Sequence, residues 1–340
     1  MIKKNTVLWF IALSMAILLT DSNLYAKEVN VYSSRKDHLI RPLFEAYEKE
    51  TGVRIRYITG SEAMLFQKIK SEGKNTPADM LITVDAGNLW NAAKKGLLQP
   101  VQSQILNRNI PDHLRDDNNQ WFGLSIRART IVYRNDRVKP SELSTYENLG
   151  NPKWKGKLCL RTSKKVYNQS LVAMFIAQYG EEKTESLIKS WVSNLSISPL
   201  SSDNEVIEEI GAGNCEIGII NSYYYGRFMR KYEAHAFPLA LFWPNQGENQ
   251  SGVHVNISGA GITKYSKNKK EAIKLLEWLS STKAQNLFAD SNMEYPVNAD
   301  VKPHEFVQKW GNFRQNVINV AKAGELQKSA VMLMDRAGYR

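Results

Sequence analysis

The sequence predicts an α/β fold in two lobes, each a mostly parallel sheet flanked by helices. Two observations carry that reading. Strand-like and helix-like segments alternate from Glu28 onward, and 340 residues are more than one hydrophobic core usually serves. The first block opens with the strand "EVNVYSS". Leu39, Ile40, Leu43, Phe44 and Tyr47 then recur at helical spacing, and Gly52 supplies a stop before the alternating strand "VRIRYI". A helix over Ser61 to Glu72 leads to the buried-type strand "ADMLITVD" and to a helix around "NLWNAAKKG". This is a β-α-β-α-β run, and helical crossovers imply parallel pairing. A second block begins near Ile126 with "RARTIVYR" and continues through "KLCLRT". Helices around "SLVAMFIAQYG", "ESLIKSWVSN" and "NEVIEEIGAG" follow, and the chain returns to the strand "CEIGII".

The first 26 residues read as a cleavable secretory signal, with Lys3 and Lys4 before an apolar run from Val7 to Leu19 that is short for a membrane span. Cleavage after Ala26 is expected, which implies export. The formal charge is +11, and loss of Lys3, Lys4 and Asp21 lowers it by one unit. Lys and Arg are spread through periodic segments and form no concentrated basic motif, which argues against nucleic acid and leaves an anionic ligand or surface as the meaning of the charge. Cys159 and Cys215 are the only cysteines. In an exported chain such a pair points to a disulfide between neighbouring strands, worth about 4 kcal/mol on the chain-entropy estimate; a free buried thiol is the alternative.

In open α/β sheets ligands bind beyond the carboxyl ends of the strands. Ser33, Ser34 and Arg35 follow the first strand, and Asp85 follows the third. Arg127 and Arg129 share one face of another strand, Tyr167 lies past "KLCLRT", and Tyr223 and Tyr224 follow "CEIGIIN" within "NSYYYGR". Bunched tyrosines ordinarily mean packing, but core tyrosines have no reason to prefer strand ends. A phenol with pKa near 10 yields its proton at neutral pH only to a strong cation. Three phenolates would balance a trivalent hard metal such as Fe³⁺ without soft sulfur donors. Arginines around such a site suit a small planar oxyanion on the remaining coordination positions.

The blocks "VYSSR", "SEGKNTPADMLITVDAGNLW", "WFGLSIRARTIVY", "YNQSLVA", "NSYYYGR", "HVNISGAGI" and "MEYPV" run through nearly the whole mature chain. They resemble the periplasmic ferric-ion-binding proteins of bacterial ABC importers, the FbpA/FutA/IdiA group within the type II solute-binding proteins. The resemblance implies Tyr167, Tyr223 and Tyr224 as iron ligands, with Tyr225 a packing or supporting residue. It implies a synergistic carbonate-like anion near Arg35 and Arg127, with Ser33 and Ser34 beside it and Arg129 a further candidate. It also implies a periplasmic monomer that hands iron to an inner-membrane permease and its ATPase. The lobes would comprise residues 27–127 with 253–303, and 128–252 with 304–340.

The chain departs from the group at positions where one branch has a His and a Glu as extra ligands; here they are Lys36 and Val84, neither of which replaces them. Where another branch has a further Tyr this chain has Asp37. Asp37 or His38 is then a ligand, or else a helix cap or solvated loop residue. No GxSxG, HExxH, P-loop or GxGxxG pattern is present, so catalysis has little support. The rival readings are a metal-free binder of an oxyanion or polyamine and, more remotely, a tyrosine-ligated metal oxidase.

Overall fold

The structure, a computed structural model, describes residues 27–232 and 237–340. The expected signal segment, 1–26, lies outside the described residues.

Strand Glu28–Ser33 (β1) is followed by helix Asp37–Thr51 (α1), whose buried residues are Leu39, Ile40, Leu43, Phe44 and Tyr47. Gly52 ends it in the left-handed region at φ 69°, where a Cβ would be strained. Strand Arg54–Thr59 (β2) comes next, then helix Glu62–Glu72 (α2), whose cap Ser61 accepts the Met64 amide at 3.3 Å. Strand Met80–Val84 (β3) and helix Ala86–Lys94 (α3) complete the first run. β1 pairs in parallel with both β2 and β3, as the helical crossovers require.

A short helix, Gln104–Asn109 (α4), precedes the 13-residue strand Phe122–Arg134 (β4). Residues Phe122–Ala128 pair with strand Val255–Ile262 (β8), whereas Arg129–Arg134 pair with strands Ile217–Asn221 (β6) and Leu239–Phe242 (β7). β4 therefore changes partners between Ala128 and Arg129. Strand Leu158–Cys159 (β5), only two residues of "KLCLRT", lies in parallel beside β6. The strand order is β2-β1-β3-β8-β4-β6-β5, with β7 also on β4.

The sheet is mixed. Parallel pairing is confined to β1-β2, β1-β3 and β5-β6, while β3-β8, β4-β8, β4-β6 and β4-β7 are antiparallel. Local βαβ units give parallel neighbours, but β4 and β8 carry the chain out along the sheet and back, so they run opposite to each other.

Helices Val166–Tyr179 (α5), Glu181–Asn194 (α6), Asp203–Ala212 (α7) and Ser222–Tyr232 (α8) cover the second half of the sheet. After β8 come Lys269–Leu279 (α9), Thr282–Asn292 (α10) and Glu305–Gln308 (α11), then Lys322–Glu325 (α12) and Gln327–Arg336 (α13). One apolar core joins residues of β1, β3, α1 and the first half of β4 with β8, α9 and Val307, Val320 and Ala321. A second gathers Ile131, Tyr133, Phe175, Trp191, Leu333 and Met334. A third, smaller core holds both cysteines, which form a disulfide with Cα atoms 5.8 Å apart and tie β5 to the start of β6. α12 packs against both α3 and α5. Gly324 makes that approach feasible, because a Cβ there would sit 2.7 Å from the Trp90 side chain.

Candidate metal centre

Tyr167 lies in the first turn of α5, and Tyr223, Tyr224 and Tyr225 lie in the first turn of α8, into which β6 runs directly. Successive residues of a helix diverge by about 100°, so three neighbours cannot share one surface. Tyr223 is buried against the first core and Tyr225 in the third, with Tyr224 half-buried between them. The Tyr225 hydroxyl donates to the Leu239 carbonyl at 3.1 Å, and its ring meets Trp310 edge-on at 5.7 Å. Tyr223 and Tyr224 lie with ring centroids 4.5 Å apart, and Asn221 Nδ2 donates to the Tyr223 hydroxyl at 3.4 Å.

Burial pushes the Tyr167 phenol above its ordinary pKa; the Arg127 charge opposes this and Tyr224 adds to it. Tyr223 is raised further, by burial and then by repulsion from Tyr167 and Tyr224. Tyr167 and Tyr223 each respond to the charge of a neighbouring phenol, so ionising one discourages the next. Without a cation Tyr167 and Tyr223 stay protonated at neutral pH. The surroundings nonetheless favour phenolate once a cation arrives. Helix N-termini carry partial positive charge, and both tyrosine-bearing turns are such termini. Arg127, Arg161 and Lys165 lie 5.3, 5.4 and 5.1 Å from the Tyr167 ring centre, and Arg227 lies 5.0 Å from that of Tyr223 and 5.9 Å from that of Tyr224. Arg127 is fully buried; burial works against its charge, yet Tyr167, Tyr223, Glu294 and Asp85 hold it more firmly protonated than usual. Among the described residues no group of three or more His, Cys, Asp or Glu side chains is placed to hold a metal ion. A metal here would rest on phenol oxygens.

Arg35 and Arg127 both approach Glu294. Arg35 Nη1 donates to Glu294 at 2.9 Å and to Ser258 at 2.7 Å, and Ser125 donates to the same carboxylate at 2.5 Å. Burial pushes the Glu294 carboxyl up, but Arg35, Arg127 and these hydrogen bonds outweigh it and hold it below the usual range. Among the described residues, three buried donors, Arg35 Nε, Arg35 Nη2 and Arg127 Nε, have no protein partner. Buried donors are ordinarily satisfied, so this donor set fits a small oxyanion. Glu294 already neutralises part of the charge such an anion would meet.

The other expected residues have local tasks. Ser33 Oγ accepts the Arg35 amide and Ser34 Oγ the Val84 amide, each at 3.2 Å, so both fix the strand ends that aim Arg35. Arg129 is spent on Asp203 at 2.9 Å and Asn168 at 2.6 Å. Asp37 opens α1, accepts the Tyr57 hydroxyl at 2.7 Å and pairs with Arg41; those contacts keep its carboxyl below the usual range. His38 and Lys36 are exposed, and Val84 is half-buried.

Asp85 joins the two halves. It holds φ 75°, caps α3 by accepting the Gly87 amide at 2.9 Å, and receives the Ser170 hydroxyl of α5 at 2.8 Å and Asn256 of β8 at 2.9 Å. Behind Tyr167, a space of about 10 Å³ is lined by Asp85, Arg127, Arg129, Asn221, His254 and Asn256. That volume suits one water and not an oxyanion. Sequence reasoning missed Glu294, Asn292 and Arg227. Arg227 had a usable signal, because it stands three and four positions after Tyr224 and Tyr223, the spacing that stacks side chains on a helix.

The fold is that of the type II periplasmic solute-binding proteins. The chain belongs to the family described as bacterial extracellular solute-binding protein, which it matches over residues 42–315. It is 41% identical to Iron uptake protein A1 of Synechocystis over 92% of this chain and 88% of that one. Among solved structures it resembles the Trichodesmium protein IdiA (FutA) in complex with iron and citrate ligands, at 43% identity and TM-score 0.88, covering 92% of this chain and all of the other. It also resembles Mannheimia haemolytica ferric iron-binding protein A in an open conformation, at 39% identity and TM-score 0.87, over 92% of this chain and 99% of that one.

Proposed function

We propose that this protein captures ferric iron on Tyr167, Tyr223 and Tyr224 and delivers it to an ABC permease from the periplasm. The observation that carries the reading is the placement of three phenols in the first turns of α5 and α8, ringed by Arg127, Arg161 and Arg227. Relatives named for iron uptake and for ferric iron binding support it. So does a neighbour that holds iron with citrate. The protein acts as a carrier rather than an enzyme in this reading, which relatives named for iron uptake and iron binding support, and the centre positions oxygen donors and compensating charge.

A carbonate-like anion held by the unpartnered nitrogens of Arg35 and Arg127 is the finer part of the proposal. Its geometry competes with Glu294, and citrate in the Trichodesmium protein makes a larger carboxylate the rival. A polyamine is disfavoured, since the cleft presents guanidinium groups that would repel it. Movement of the two lobes about β4, whose strand partner changes between Ala128 and Arg129, would make the loaded form distinct to a permease, with the carrier acting as a monomer.

Titration of the iron-free protein with a ferric chelate, followed by visible absorption, is the test. A phenolate-to-Fe³⁺ charge-transfer band is expected in the wild type and lost when Tyr223 and Tyr224 are both changed to Phe. Retention of the same band and affinity in that double variant would sink the assignment.

A further inference from the structure

Arg129 is buried at the point where β4 changes partners: its amide donates to the His254 carbonyl at 3.0 Å, and it faces Asn221 in the register between β4 and β6. The guanidinium reaches both tyrosine-bearing segments at once. Nη2 donates to Asn168, the residue after Tyr167, at 2.6 Å, and Nη1 donates to Asn221, two residues before Tyr223, at 3.4 Å. Each asparagine passes the contact on. Asn168 Nδ2 donates to the Arg161 carbonyl at 2.7 Å and to the Thr162 carbonyl at 3.2 Å, which fixes the turn that carries Tyr167. Asn221 Nδ2 donates to the Tyr223 hydroxyl at 3.4 Å.

Asp203 balances the charge. It accepts Arg129 Nη1 at 2.9 Å and the Asn221 amide at 3.2 Å, so one carboxylate both neutralises the guanidinium and holds the end of β6. With its charge met inside the protein, Arg129 has little to offer an anion, and the space of about 10 Å³ that it lines has no room for one. Stability does not account for the pair either, because well-packed apolar side chains of similar volume often replace a buried ion pair without loss. What apolar groups cannot supply is direction. A guanidinium presents its donors in a rigid planar fork, so two groups bound to it are held at a set spacing, whereas a lysine ammonium is a point charge on a flexible stem.

We propose that Arg129 is a positioning residue: through Asn168 and Asn221 it sets the spacing of the Tyr167 and Tyr223 phenols and so governs iron affinity without touching the metal. The proposal rests on the ferric reading of the tyrosines and adds what holds them in register. The two phenols come from separate helices, α5 and α8, and a metal site works only when its ligands stand within about 0.5 Å of the productive geometry. A brace that contacts the base of both helices meets that demand before the metal arrives.

The test is titration of the full iron-free chain with a ferric chelate, followed by visible absorption and by competition with the chelator, for the wild type, Arg129→Lys, Asn168→Ala and Ile188→Ala. Arg129→Lys keeps the charge opposite Asp203 and loses the fork. Asn168→Ala keeps the ion pair and cuts the arm to Tyr167. Ile188, buried in the second core and outside this network, serves as the control for lowered stability alone. Arg129→Lys and Asn168→Ala are expected to fold, to bind iron at least about ten-fold more weakly and to shift the charge-transfer maximum. Ile188→Ala is expected to lower the urea midpoint and to leave band and affinity as in the wild type. Wild-type band and affinity in a folded Arg129→Lys or Asn168→Ala would overturn the proposal, and so would equal weakening in Ile188→Ala. Failure of both network variants to fold would overturn it as well, since positioning acts within a folded protein. Absence of the band from the wild type would instead mark failure of the ferric reading, and this proposal would fall with it.

Discussion

Arg227 lies over the Tyr223 ring at 5.0 Å and hydrogen-bonds Asn292, whose amide donates to Glu294 at 2.6 Å. A side chain of α8 is thereby connected to the carboxylate that holds Arg35, so the tyrosine pair and the arginine pair belong to one network. Changing Arg227 to Met keeps most of the packing and removes the charge. Phenolate then becomes harder to form, so iron is released at higher pH on acidification, and affinity at neutral pH falls about ten-fold. The visible band followed against pH reads both effects; an unchanged release midpoint would separate Arg227 from the phenols.

Arg35 and Glu294 form an ion pair in which both side chains are almost wholly buried. Removing one partner of such a pair typically costs about 3–5 kcal/mol, because the other charge is left uncompensated. Glu294→Ala should therefore lower the urea midpoint strongly, and Arg35→Met with Glu294→Met should recover much of the loss. The Glu294 carboxyl is held below its ordinary pKa, so its contribution is present above the unfolded value and lost as pH falls through the depressed one. In Glu294→Met the acid limb of stability against pH should flatten below about pH 4.5.

His254 is fully buried, neither ring nitrogen has a partner among the described residues, and burial followed by the Arg129 charge lowers its pKa to about 3. The folded protein thus keeps it neutral, while the unfolded chain protonates it near pH 6.5. Stability from this residue is complete above about pH 6.5 and is lost as pH falls toward the folded value. His254→Phe should remove that slope between about pH 6 and pH 4 in denaturant melts. Asp85, Arg127 and Tyr167 face the same small space and should be monitored through iron binding in that variant. A wild-type curve that is flat across the window would contradict the buried neutral state.

Ser170 of α5 donates to both oxygens of Asp85, at 2.9 and 2.8 Å, and so fastens one side of the cleft to the other. Ser170→Ala leaves a buried carboxylate short of a donor, and burial already raises the pKa of Asp85. Small-angle scattering should show a larger radius for the iron-free variant than for the iron-free wild type, with compaction regained on iron loading. Identical radii would mean that this contact does not hold the cleft.

Much of the fold was legible because local chemistry agreed with it. The periodic stripe from Leu39 to Tyr47, the Gly52 stop and the Ser61 cap each acted as their residue types dictate. The antiparallel return of β8 was not legible. "HVNISGAGI" is glycine-rich and lacks alternation, and it becomes a strand because β3 and β4 flank it and its glycines admit close neighbours; a Cβ on Gly259 would sit 2.4 Å from the Phe122 carbonyl. At the site, strand ends pointed to Arg35 and the tyrosines, and the alternation of a strand face pointed to Arg127. Nothing local announced that Arg129 would be consumed by Asp203, 74 positions away, or that Glu294 would reach Arg35 across 259. Pairings of such separation are decided by the tertiary fold alone.

If three phenols surrender their protons to one ferric ion, proton release counts them directly. Binding of iron from a defined chelate, measured by calorimetry in buffers of different ionisation enthalpy and corrected for the protonation of the chelator, should liberate about three protons per iron in the wild type and about two in Tyr167→Phe. Release of no protons by the wild type, or the same number from wild type and variant, would contradict phenolate capture.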